Sequence, residues 1–219
     1  GIRIAMNHYP EIADRVAAVF VPAVMAGFLL TAIPNWTGRL PVVGRPLGAM
    51  VALWAAGRLA VLFSGWLGWA VAATVDVAFL LALAGVALRE IRQAGNGRNL
   101  PVVGIVLLMA GANLAFHLEA RTGSASVSAR AGLALVVLLI ALIGGRIIPS
   151  FTGNWLTRQG AAVRPAPFGR FDKAVMALAA VALAFWTVSP DGPVAGIALT
   201  AAGAGHLIRL ARWQGHRVL

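Results

Sequence analysis

The chain has 219 residues, of which 60% are hydrophobic and only 11% are charged. A soluble domain is about half apolar and about a quarter charged, so this composition predicts an all-α, polytopic membrane helix bundle. Cysteine is absent, which excludes disulfides and thiolate metal sites. The net charge of +11 does not predict a nucleic-acid partner, because the arginines cluster between apolar runs as membrane orientation signals do.

Seven apolar runs are each close to the roughly 20 residues that a helix needs to cross the hydrocarbon core. A polar extracytoplasmic segment, 1–16, comes before this bundle of 17–211. A short cytoplasmic end, 212–219, follows it in a chain that we expect to be truncated. The predicted spans are 17–33, 47–64, 68–88, 101–118, 131–149, 172–189 and 193–211.

The basic residues predict the direction in which these helices cross the membrane. Thirteen of the 18 Lys and Arg residues lie towards one side of the bundle, and four lie towards the other. By the positive-inside rule, the richer side faces the cytoplasm. We therefore expect a multi-pass membrane protein, surrounded by lipid, with its N-terminus outside and its C-terminus inside.

A short motif returns once along the chain. The first copy is a turn of Pro34, Asn35, Trp36 and Thr37 before a glycine, and the second is Pro149-Ser-Phe-Thr-Gly. Each copy follows an apolar run and is predicted to end its helix in a polar turn on the cytoplasmic side. The motif therefore predicts a parallel internal repeat of about four helices.

Two charges fall inside predicted spans, where an unpaired charge costs about 2.5 to 3.5 kcal/mol. Arg58 lies near the end of the second span and Asp76 near the start of the third, roughly 9 Å and 12 Å from the same membrane surface. Neighbouring antiparallel helices place them at similar depth, so we expect an ion pair. The pair either fixes helix packing or lines a polar cavity, in which Arg58 holds an anionic group such as a haem propionate.

Two histidines and one further arginine are candidate site residues. His117 shares a helix face with Asn113, and His206 lies near the end of the last span. A neutral imidazole is a good ligand for haem iron or copper, although a lone interfacial histidine has the same appearance in a sequence. Arg146 either extends to the membrane interface or anchors a polar cluster of Ser150, Thr152 and Asn154.

Five segments in this order resemble the NnrS family. The resemblance implies a membrane protein that contains haem and copper and acts in nitric oxide stress and denitrification. It carries over to Asn113, His117, Arg146, His206 and the turn at Pro34, and this chain would cover roughly the first three-fifths of the family's spans. The segments are Gly27-Phe-Leu-Leu-Thr-Ala-Ile-Pro-Asn-Trp-Thr-Gly-Arg39, Trp54-Ala-Ala-Gly-Arg58, Asn113-Leu-Ala-Phe-His-Leu-Glu119, Gly144-Gly-Arg-Ile-Ile-Pro-Ser-Phe-Thr-Gly-Asn-Trp155 and Gly205-His-Leu-Ile-Arg-Leu-Ala-Arg-Trp213.

The resemblance implies nitric oxide or a nitrosyl species as the small-molecule partner. Two other hypotheses stay open at this point. One is a cofactor-free transporter or channel with the Arg58–Asp76 pair in its core, and the other is a structural membrane subunit. No acid–base or nucleophile set is apparent in the sequence, so no enzymatic reaction is assigned.

Overall fold

The structure is a computed structural model that describes Gly38 and residues 42–215. Every regular element in that part of the chain is helical, which confirms the all-α membrane bundle. Six of the helices are long and apolar enough to cross a membrane. The α-helices are α1 (Arg45–Leu62), α2 (Ser64–Leu67), α3 (Trp69–Gln93), α4 (Leu100–Glu119), α5 (Ser126–Arg158), α6 (Arg170–Val188) and α7 (Pro193–Arg212), with short 3-10 turns at Gly97–Asn99 and Ala120–Thr122.

Six of the seven predicted spans correspond to these long helices. The first predicted span, 17–33, and the turn of Pro34, Asn35, Trp36 and Thr37 lie outside the described residues. The internal repeat and the orientation in the membrane therefore stay predictions.

One predicted helix end is wrong. The sequence ends the fifth span at Pro149, whereas α5 continues through this proline to Arg158. Membrane helices tolerate an internal proline, because neighbouring groups can satisfy the backbone carbonyl that loses its partner. The residue that terminates the helix is Gly160, two residues after its end, where φ is +70° and the N–H groups of Gly160 and Ala161 donate to the carbonyls of Thr157 and Leu156. Residues 149–153 are therefore helical and do not form a polar turn.

The chain divides into two compact units, Gly1–Leu135 and Val136–Leu219, and α5 contributes residues to both. In the first unit, α3 is the central helix and packs on both α1 and α4. Its buried face carries alanines as well as large side chains, and small residues let membrane helices approach closely. The buried apolar residues of α3 are Ala72, Ala73, Phe79, Leu80, Leu83, Ala84, Ala87 and Ile91.

The second unit contains the antiparallel pair of α6 and α7. Its apolar core is built mainly from alanines, which bring the two helix backbones together. The buried centre is Ala179, Ala182 and Ala202, and the partly buried residues around it are Leu138, Ala198 and Leu199.

Large apolar side chains point outwards from both units, as expected of helices that meet lipid tails. Trp66, in the short helix α2 between two spans, is 93% exposed and suits a membrane interface. Other strongly exposed residues are Leu62, Ile140, Phe151, Val188, Ile197 and Leu207.

Candidate functional site

Arg58 and Asp76 form an ion pair in the interior of the first unit. A terminal guanidinium nitrogen of Arg58 contacts Asp76 Oδ1, and only 1% of the aspartate side chain is exposed. Arg58 lies one turn before the end of α1 and Asp76 lies two turns after the start of α3. The short connection through α2 brings these helix ends together. The structure therefore pairs the two charges that the sequence predicts to lie at similar depth in the membrane.

The second oxygen of Asp76 receives two side chains from α4. Asn113 Nδ2 donates to Asp76 Oδ2 at 3.0 Å, and His117 Nε2 lies 3.1 Å from the same oxygen. Asn113 and His117 are four residues apart and occupy one face of the helix, as predicted. One buried carboxylate therefore collects an arginine, an amide and an imidazole from two different helices.

A glycine makes room for this carboxylate. A Cβ atom at Gly57 would lie 3.1 Å from Asp76 Oδ1 and 3.2 Å from Asp76 Cα. Such distances are shorter than ordinary van der Waals contacts, so α1 approaches α3 this closely only because residue 57 has no side chain. Gly57 is thus part of the site, although the sequence analysis did not identify it.

A second buried cluster, in the second unit, is centred on Arg209. The guanidinium is fully buried at 0% exposure, and its Nε donates to Asp172 Oδ1 at 3.1 Å. The other oxygen of Asp172 accepts from the Gly169 N–H at 3.0 Å and caps the start of α6. Arg212 NH1 lies 3.9 Å from that oxygen.

The remaining nitrogens of Arg209 face three further residues. NH1 lies 3.3 Å from Met176 Sδ and 3.1 Å from His206 Nδ1. NH2 is buried, makes no hydrogen bond within the described part of the chain, and lies against Gly145, where a Cβ atom would collide with it. The centroid of the buried Trp213 ring lies 5.5 Å from the guanidinium carbon.

The predicted residues are thus divided between two places. Arg58, Asp76, Asn113 and His117 meet in the first unit, whereas His206 lies beside Arg209 in the second. Arg146 lies over the Phe168 ring, 5.9 Å from its centroid. Two members of its predicted polar cluster, Thr152 and Asn154, line a surface cavity of about 400 Å³ with Phe151, Trp155 and Arg158.

Sequence analysis missed Asp172, Met176 and Arg209 as site residues. Arg209 was counted among the basic residues of the cytoplasmic side, because it lies close to a helix end. A usable signal was present, since Asp172 is the third residue of α6 and Arg209 is the fourth from the end of α7. The two therefore lie at matching levels of an antiparallel helix pair.

The neighbours of each histidine determine which ring nitrogen carries the proton. Asp76 is a carboxylate that only accepts, so His117 Nε2 is a donor, and no hydrogen bond engages Nδ1 within the described part of the chain. Arg209 is a guanidinium that only donates, so His206 Nδ1 is an acceptor and its proton lies on Nε2. In its neutral form His117 has a lone pair on Nδ1 for a ligand, whereas the His206 Nδ1 lone pair is already used.

A single histidine with a carboxylate behind it has the right chemistry to hold a haem iron. His117 fits this description, with Asp76 as the carboxylate. Among residues 42–215, no group of three or more His, Asp and Glu side chains could hold a metal ion by itself.

The helices and the first cluster define a class of protein, an integral membrane protein with a histidine held by a buried ion pair. A comparison with known families matches residues 15–219 to the family described as NnrS protein. The chain belongs to the NnrS family, as the five sequence segments predicted. No curated protein and no solved structure matches it.

Proposed function

We propose that this chain is a haem- and copper-containing membrane protein that acts in the nitric oxide stress response and in denitrification. Family membership over residues 15–219 supports this role in general. The observation that supports it most directly is the contact between His117 Nε2 and Asp76 Oδ2 at 3.1 Å. Histidines that bind metals usually donate their second ring N–H to such a carboxylate.

His117 would hold the haem iron, through the lone pair on Nδ1. A bound haem supplies an iron centre that can take nitric oxide as a further ligand. Copper is proposed from family membership alone. The proposed binding of haem by His117 does not depend on copper. The family resemblance implies that Asn113 and Arg146 are functional positions near a cofactor. In this proposal, Asn113 contributes through its hydrogen bond to Asp76.

The protein residues prepare His117 for ligand binding. Asp76 orients the imidazole ring and makes its free nitrogen a stronger base. Arg58 balances the charge of Asp76, and Asn113 satisfies the same carboxylate oxygen, so a buried negative charge can be maintained. Because Asp76 is almost fully buried, water does not compete for its hydrogen bonds.

The proposed location is the bacterial inner membrane, with the N-terminus outside and the C-terminus inside. The six apolar helices and the distribution of basic residues support this arrangement. In that orientation, the Arg58–Asp76–His117 cluster lies towards the outer surface of the membrane. A small uncharged molecule such as nitric oxide would reach it through the lipid.

The test is an absorption spectrum of the purified full chain in detergent, oxidised and reduced, with iron and copper analysis. We expect a Soret band in the wild type, its loss in His117→Ala, and its retention in the matched control His206→Asn. Asp76→Asn should weaken haem binding by about 10- to 100-fold.

A folded wild type without haem or copper, after haem has been supplied during expression, would overturn the proposal. The cofactor-free transporter or channel would then be the better hypothesis, and solute flux in proteoliposomes would be measured with Arg58→Leu as the comparison. If His117→Ala still binds haem, the proposed family role stands, but His117 is not the haem ligand.

A further inference from the structure

The second cluster contains two side chains that can bind soft metals, Met176 and His206, and the guanidinium of Arg209 lies between them. His206 Nδ1 and Met176 Sδ lie 3.1 Å and 3.3 Å from the same atom, Arg209 NH1. Imidazole nitrogen and thioether sulfur are the kinds of ligand that Cu(I) accepts. At their meeting point lies a guanidinium N–H group, which can donate to both and cannot bind a metal.

Arg209 is held in this position from several sides. It is fully buried, its Nε is bound to Asp172 at 3.1 Å, and Trp213 lies against it. Its NH2 lies against Gly145, where an added Cβ atom would collide with it unless the guanidinium moved. A metal ion at the position of NH1 would have to displace this buried cation and leave Asp172 without its closest charged partner.

We propose that Arg209 is a positioning residue that fixes His206 as a neutral imidazole with its proton on Nε2, and that it closes the Met176–His206 pair to soft metals. His206 then presents an N–H donor and not a metal-binding lone pair. This assignment differs from the sequence-based expectation that His206 binds haem or copper. It depends only on contacts within the second unit, so it is independent of the haem site proposed at His117.

Silver binding tests whether Arg209 is what keeps metal out. Ag⁺ has the ligand preference of Cu(I) and no redox chemistry under the assay conditions. The full chain in detergent is compared with the charge-balanced variant Asp172→Asn/Arg209→Leu, which leaves no buried charge unpaired. We expect this variant to bind about one more Ag⁺ per chain than the wild type. Adding Met176→Leu should remove that extra ion.

Two results of the silver experiment would overturn the proposal. The first is loss of bound Ag⁺ when Met176→Leu or His206→Asn is made in the wild-type background, since the pair would then bind metal with Arg209 present. The second is no gain in the folded double variant, which would mean that Arg209 does not exclude the metal. Circular dichroism establishes that each variant keeps its helices.

A measurement on the wild type tests the proposal even if the double variant does not fold. In protein labelled with ¹⁵N-histidine, the His206 resonances are assigned by their loss in His206→Asn. We expect an unprotonated Nδ1 and a protonated Nε2, the tautomer that Arg209 imposes. A proton on Nδ1 would reject the assignment, because a guanidinium cannot donate to a protonated nitrogen.

Discussion

Gly57 on α1 lies directly against Asp76 on α3, so close that a methyl group at residue 57 would come within 3.2 Å of the Asp76 Cα. The buried ion pair and the helix contact therefore depend on the same glycine. Arg58, the next residue, provides the cation that Asp76 needs. The adjacent pair Gly57-Arg58 thus allows the helices to approach and supplies the charge that makes a buried aspartate tolerable.

Gly57→Ala should destabilise the first unit. The added methyl meets backbone as well as a carboxylate oxygen, and the backbone cannot move without shifting α3, so we expect a loss of about 1–3 kcal/mol. Thermal unfolding in detergent would measure it. The matched control is Gly48→Ala on the same helix, where nothing lies within 4 Å of the new methyl. An equal effect of the two substitutions would mean that close packing at residue 57 is not the cause.

Arg58→Leu should cost about 3–5 kcal/mol of unfolding free energy, since it leaves Asp76 buried without its cation. Adding Asp76→Asn to this variant should recover part of the loss, because the remaining amide is neutral. A double-mutant cycle measures the coupling between the two residues. Arg92→Leu is the control, because Arg92 is an exposed residue in the last turn of α3, and an exposed charge at a helix end should contribute less than about 1 kcal/mol. Additive effects at residues 58 and 76 would argue against a coupled pair.

The Arg58–Asp76 pair was predictable because both charges lie inside apolar runs, joined by a short connection that fixes their relative depth. The cluster around Arg209 was not predicted, because a basic residue near the end of a span is usually solvated at the interface. Only the packing of α6 on α7 buries Arg209 against Asp172. Likewise, a proline after an apolar run usually marks a helix end, and the sequence does not reveal that α5 continues past Pro149.

Gly145→Ala should disturb the second cluster. The new methyl would collide with Arg209 NH2, and the guanidinium has little freedom to move because Asp172 and His206 hold its other nitrogens. We expect a loss of about 1–3 kcal/mol in thermal unfolding. The neighbouring Gly144→Ala is the control, since its nearest contact, Ile148 Cδ1, lies at an ordinary 3.8 Å. If Gly145→Ala is tolerated and Gly144→Ala is not, the position assigned to Arg209 is wrong.

Pro149→Ala should stabilise α5. Proline has no N–H group, so the carbonyl of Gly145, four residues earlier, lacks its helical partner, and alanine restores that hydrogen bond. The expected result is a higher melting temperature with unchanged helix content by circular dichroism. Pro101→Ala is the matched control, because this proline lies in the first turn of α4, where the missing N–H has no helical acceptor to lose. A fall in melting temperature for Pro149→Ala, with no fall for Pro101→Ala, would contradict this prediction. It would mean that the proline stabilises the folded chain and that another group satisfies the Gly145 carbonyl.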